Sequence, residues 1–84
     1  MQFVLSEHAR QELQRRQIPE SAVSDIVQNP EQIIPERHGR VVYQSKARFD
    51  GKLYLVRVIA EPGSVLRIVT VYRTTRIEKY WRRP

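Results

Sequence analysis

Residues 40–73 hold three runs rich in β-branched and aromatic side chains, separated by two turn signals. Asp50-Gly51 stands between the first two runs, and Glu61-Pro62-Gly63-Ser64 between the second and third. Asp-Gly suits a type I′ hairpin, whose two central residues both need positive φ. Connections this short can only join antiparallel strands, because a parallel pair requires a long crossover. The pattern therefore predicts a meander of strands over 40–48, 52–60 and 65–73. Ile33-Ile34 begins a further short strand, interrupted at Pro35 and turned at His38-Gly39.

The first third of the chain has helical spacing instead. Ser6 is placed to cap a helix that starts at Glu7 and runs to about Gln17, with Ala9 and Leu13 on one face and Ile18 closing its end. Pro19 starts a new segment. Residues 20–28 read as a second helix that turns Ala22, Val23, Ile26 and Val27 inward. Asn29-Pro30 ends it, since a residue before proline is pushed out of helical geometry. Residues 1–5 read as a lead-in or a short edge strand. Thr75-Arg76-Ile77-Glu78 fits a capping box ahead of a short helix over 76–82. The expected fold is α+β: two N-terminal helices on one face of a curved antiparallel sheet of about four strands, with a short C-terminal helix.

Alternation assigns the sheet faces. On 52–60, Tyr54, Val56 and Val58 share one side, and Leu53, Leu55, Arg57 and Ile59 the other. On 65–73, Val65, Val69 and Val71 fall with Arg67 and Arg73, opposite Leu66, Ile68, Thr70 and Tyr72. Val56, Val58, Val69 and Val71 are then expected to meet the helices. Leu55, Ile59, Leu66 and Ile68 would form a sticky face needing cover from the C-terminal helix, a homodimer or an antitoxin-like partner. Arg57 is the odd residue of the central strand. A buried charge must be paired, so Arg57 either faces a ligand or pairs with a carboxylate such as Glu12 or Glu78.

With 84 residues there is room for one domain, residues 1–84. The absence of cysteine removes disulfides, thiolate metal sites and a cysteine nucleophile. No cofactor or metal is expected. No signal peptide or membrane span is visible, so a cytoplasmic, bacterial-type protein is expected, with no membrane partner. Charge is unevenly spread: residues 1–36 carry net −3 and residues 37–84 net +9, with 12 Arg against 3 Lys overall. An Arg-rich, positive half suits phosphate oxygens, which the planar guanidinium bonds in pairs. RNA, DNA or an acidic protein is the partner class this charge favours.

His8-Ala9, Arg16, Ile18, Val23 and Asn29-Pro30-Glu31 appear in an order that resembles the domain-of-unknown-function 4258 family. Val41-Val42-Tyr43, Val56-Arg57-Val58 and Val69-Thr70-Val71-Tyr72 continue the resemblance over nearly the whole chain. Gln17 stands where that family often has glycine. The family is similar to RelE/ParE-like toxins and, more broadly, to the barnase–EndoU–colicin–RelE group of small ribonuclease folds. The resemblance implies metal-independent RNA cleavage or ParE-like action on a protein target, restrained by an antitoxin-like partner.

Such cleavage needs a base for the 2′-OH, an acid for the leaving oxygen and cations for the phosphorane. His8, Arg57 and Tyr72 are the catalytic candidates, with Glu12 and Arg15 on the same helical face as His8. His8 could equally cap or pack its helix, and Tyr72 could simply fill the pleat. Arg16, Thr70, Arg73, Arg76, Lys79, Tyr80, Arg82 and Arg83 are the candidates for nucleic-acid binding. Tyr80 and Trp81 suit the apolar face of a docked helix better than they suit base stacking. A catalytic site requires His8, Arg57 and Tyr72 to converge on one cleft. A non-catalytic module that binds nucleic acid or an acidic protein requires only the charge.

Overall fold

The computed structural model describes residues 2–84. Among these, five strands form one sheet, flanked by three helices: β1 (Phe3–Leu5), α1 (Glu7–Arg15), α2 (Glu20–Gln28), β2 (Gln32–Pro35), β3 (Val41–Phe49), β4 (Lys52–Glu61), β5 (Leu66–Thr74) and α3 (Ile77–Tyr80). The strand order is β1-β5-β4-β3-β2. The four later strands are antiparallel neighbours, as the short turns require. Asp50 and Gly51 both have positive φ, 53° and 78°, as the β3–β4 hairpin needs. β1 adds a fifth strand and pairs parallel to β5, with Phe3 opposite Leu66 and Leu5 opposite Ile68.

Local chemistry explains the helix ends. The Ser6 hydroxyl accepts from the Ala9 N–H and caps α1. At the other end the Gln17 N–H donates to Gln14 and the Ile18 N–H to Leu13. This double closure requires a left-handed residue, and Gln17 adopts φ 54° there. The glycine typical of this position would hold the same turn without a Cβ penalty. Leu13 and Ile18, which flank the closure, are both buried in the main core.

That core lies between the helices and one sheet face. Ala9, Leu13, Val23, Ile26 and Val27 meet Val56, Val58, Ala60, Leu66, Ile68 and Val71. Each fully buried aliphatic side chain contributes about 1.5–3 kcal/mol over an exposed one. A smaller cluster of Ile34, Val42 and Ile59 with Tyr72 occupies the other face.

Two expectations are corrected. The first concerns β5. Ile59 pairs with Thr70 but Ala60 with Ile68, so Val69 is an extra residue in a β-bulge. A one-residue insertion reverses the alternation. Leu66 and Ile68 therefore face the helices and Val69 is not a core residue, while Thr70, Val71, Tyr72 and Arg73, beyond the bulge, keep their expected sides. The Ser6 hydroxyl donates to the Val69 carbonyl and the Ser6 N–H to the Ile68 carbonyl. The bulge thus sits where the chain turns from β1 into α1.

The second correction concerns the C-terminus. No side chain caps α3, whose first helical residue follows Arg76; the Thr74 hydroxyl instead accepts from the Arg76 N–H. The capping box at Thr75 and Glu78 does not form. The helix stops at Tyr80 rather than reaching 82, and Trp81 is extended, with ψ 125°. For the sticky face, the C-terminal segment is one of the three covers expected, and it lies there. Leu55 and Ile59 are buried within the single chain, and the last residues pack on that side through Gln32 and Gln44.

Candidate functional site

β4 carries Arg57 on the face opposite the helices, in register with Gln44 of β3 and Tyr72 of β5. Arg57 is only 7% exposed. Its Nε donates to Gln44 Oε1 at 2.8 Å and its Nη1 to the Tyr72 hydroxyl at 2.6 Å. Nη2 lies 3.8 Å from Glu36, so the partner carboxylate is neither Glu12 nor Glu78. The guanidinium also stacks over the Tyr80 ring at 4.4 Å. Burying a guanidinium demands this density of partners.

The contacts extend into a ladder of cations and rings. Arg16 lies 5.9 Å from the Tyr72 ring, Arg57 5.8 Å from the same ring, and Lys79 5.3 Å from the Tyr80 ring. Tyr72 and Tyr80 meet edge to face at 6.1 Å. Each cation–π contact contributes about 0.5–1 kcal/mol at exposed positions and more when dry. Glu12 fixes the α1 end of the ladder by accepting from Arg15 and from Arg16, both at 2.8 Å. Those hydrogen bonds, Arg15 first, hold the Glu12 carboxyl at about 2, below its usual 4.5.

The two phenols are driven apart. Burial pushes Tyr72 up, against the hydrogen bond and charge of Arg57. Tyr80 is lowered: burial opposes its ionisation, but Lys79, the Tyr72 phenol and the Arg57 charge outweigh that.

Arg57 and Tyr80 open onto a cleft of about 530 Å³ rimmed by Lys79, Arg82, Arg83 and Glu36. Four cationic side chains thus converge on one concavity, with Arg83 shared with Glu78. Tyr72 is held behind Arg57 and does not line the cleft. Thr70 is half-buried on the same face, opposite Ile59. Arg76 is exposed and lies outside the cleft lining.

Two candidates lie elsewhere. His8 is exposed on the first turn of α1. It precedes Arg16, the ladder's α1 residue, by eight positions, or about 12 Å of helix axis. The convergence of His8, Arg57 and Tyr72 on one cleft does not occur; only the latter two meet. Arg73 projects to the helix side and lies over Phe49 and Tyr54, at 4.5 and 4.6 Å.

Three participants escaped the sequence reading: Gln32, Gln44 and Glu36. Gln44 is fully buried on β3, between Gln32 of β2 and Arg57 of β4. The signal was available in the alternation, which puts Gln44 on the same side as Val42. A polar residue at a core position is the natural partner for a buried arginine.

Residues 5–73 match the family described as Domain of unknown function (DUF4258), and the chain belongs to that family. No curated protein and no solved structure matches the chain. Among the described residues no helix is long and apolar enough to cross a membrane.

Proposed function

We propose that the protein acts on RNA in the manner of a RelE/ParE-like toxin, cleaving it without metal through 2′-OH attack at the Arg57–Tyr80 cleft. The observation that carries this reading is the cationic cleft whose wall is a tyrosine with a lowered pKa, stacked on a buried arginine. In this scheme Tyr80 takes the 2′-OH proton. The 2′ oxygen attacks phosphorus, and the bond to the 5′ oxygen breaks. That oxygen takes a proton from the Lys79 ammonium, leaving a 2′,3′-cyclic phosphate and a 5′-hydroxyl. Arg82 and the Arg57 edge that faces Glu36 offset the charge gathered on the phosphorane. An acidic antitoxin-like protein is the partner that this cleft's charge would attract.

One observation favours the non-catalytic alternative, a basic module that binds RNA or an acidic protein. The Nε and Nη1 groups of Arg57 are already committed to Gln44 and Tyr72. The deciding experiment is RNA cleavage in excess chelator, run beside salt-dependent RNA binding, for wild type, Tyr80→Phe and the double variant Arg82→Glu/Arg83→Glu. The enzyme reading expects Tyr80→Phe to lose about 10²–10⁴-fold in rate while still binding. It expects the double variant to lose both activities. Binding without cleavage in wild type selects the binding module. Cleavage undiminished in Tyr80→Phe removes Tyr80 from the mechanism, and neither activity in wild type rejects an RNA target.

A further inference from the structure

The C-terminal residues are attached to the sheet through their main chain. Gln32 Nε2 donates to the Arg82 carbonyl at 2.6 Å, and the Arg82 N–H donates back to Gln32 Oε1 at 3.0 Å. One side-chain amide thus closes a two-bond ring with one residue's backbone, much as a neighbouring strand would. Gln44 Nε2 donates to the Tyr80 carbonyl at 3.2 Å and to Gln32 Oε1 at 2.8 Å. The remaining Gln44 oxygen accepts from Arg57. An unbroken relay therefore runs from the Arg82 backbone through Gln32 and Gln44 to the buried guanidinium.

We infer that Gln32 and Gln44 are positioning residues that seat residues 80–82 across the sheet and thereby build the cleft. The local sequence would not do this. α3 has four residues and no side-chain cap, and the chain leaves it extended. A helix that short is unstable alone. Side-chain stacking on Arg57 and Tyr72 holds the Tyr80 ring, but among the described residues the main chain of 80–82 is tied to the sheet through Gln32 and Gln44. The relay is indifferent to side-chain identity at 82, because it reads only the backbone. Lys46, 4.1 Å from the Trp81 ring, adds a side-chain contact beside it. Gln44 meets three partners and has no apolar substitute, since replacing it would strand Arg57 Nε in a dry site.

This inference rests on the RNA reading for its functional consequence but not for its structural test. Trp81 is the single tryptophan and lies within the seated segment, so its fluorescence reports seating directly. In folded Gln32→Ala, Trp81 emission should shift to the red and become more open to acrylamide. RNA affinity should fall, with the log–log salt slope shallower by about 0.7 for each phosphate that the variant no longer neutralises. Gln32→Glu keeps both acceptor roles and loses the donor to the Arg82 carbonyl, so it should fall between alanine and wild type. In wild type the Arg82 amide should be protected from hydrogen exchange, which tests the clamp without any variant.

A purely structural glutamine would lower the melting temperature yet leave Trp81 emission and the salt slope unchanged in the folded protein. That result, or an unprotected Arg82 amide, overturns the inference. If wild type binds no RNA while Gln32→Ala still frees Trp81, the clamp stands and the RNA reading fails.

Discussion

Arg57 and Arg73 sit on adjoining strands, one residue apart in register, and face opposite sides of the sheet. Each stacks on two aromatic rings. There the likeness ends. Arg57 is buried and held by Gln44, Tyr72 and Glu36. Arg73 is half-buried, and among the described residues no hydrogen bond or ion pair holds its guanidinium. The difference follows from solvent. A guanidinium at the sheet centre must replace its whole hydration shell with protein groups. One beside the hairpin end lays its stem and flat face on aromatic rings and leaves its edges to water. The same residue type is therefore a structural centre in one place and a surface cover in the other.

The sharpest way to break this comparison is to truncate both arginines. Arg57→Ala strands the Gln44 carbonyl and the Tyr72 hydroxyl, and should cost about 1–3 kcal/mol of unfolding free energy for each in denaturant titration. Arg73→Ala removes only packing and cation–π contact, and should cost about 1 kcal/mol. Equal costs would mean that the two sites do not differ as their hydrogen bonding says.

Deleting one hydroxyl on each side sharpens the point at smaller scale. Tyr72→Phe leaves a buried Arg57 N–H without its acceptor and should cost about 1–3 kcal/mol. Tyr54→Phe, beside Arg73, touches no hydrogen bond among the described residues. It should stay within about 0.5 kcal/mol of wild type. A large loss in Tyr54→Phe would reveal a partner for that hydroxyl.

The narrowest effect concerns the ladder's α1 end and appears only in acid. Glu12 has its folded value near 2, below the ordinary 4.5, because Arg15 and Arg16 bond its charged form. A depressed carboxylate contributes stability above its unfolded value and loses it as pH falls through the folded one. Wild type should therefore lose stability between pH 4.5 and 2. Glu12→Gln should show a flatter profile over that window by thermal melting at stepped pH. Parallel profiles would detach Glu12 from its two arginines.

Much of the fold was legible because it rests on local chemistry. The Ser6 cap, the 20–28 helix and the Asp50-Gly51 hairpin each follow from residues within a few positions of one another. Part of the site was legible too. Arg57 stood out as a charge among apolar neighbours, and alternation put Tyr72 on its side. His8 did not join them, because its position depends on where α1 lies over the sheet. Gln32 and Gln44 went unread because their roles depend on the path of residues 80–82, fifty positions away from Gln32 in the case of Arg82.

The sequence by itself determined the antiparallel meander, the two N-terminal helices and the side of β4 that Arg57 occupies, since turn chemistry and strand period act over short range. Tertiary structure alone decided the parallel docking of β1, the bulge at Val69 and the seating of residues 80–82. Each of these depends on a hydrogen bond between residues far apart in the chain: Ser6 to Val69 across 63 positions, and Gln32 to Arg82 across 50. Local propensity does not register such bonds, because they form only once the sheet has brought their partners together.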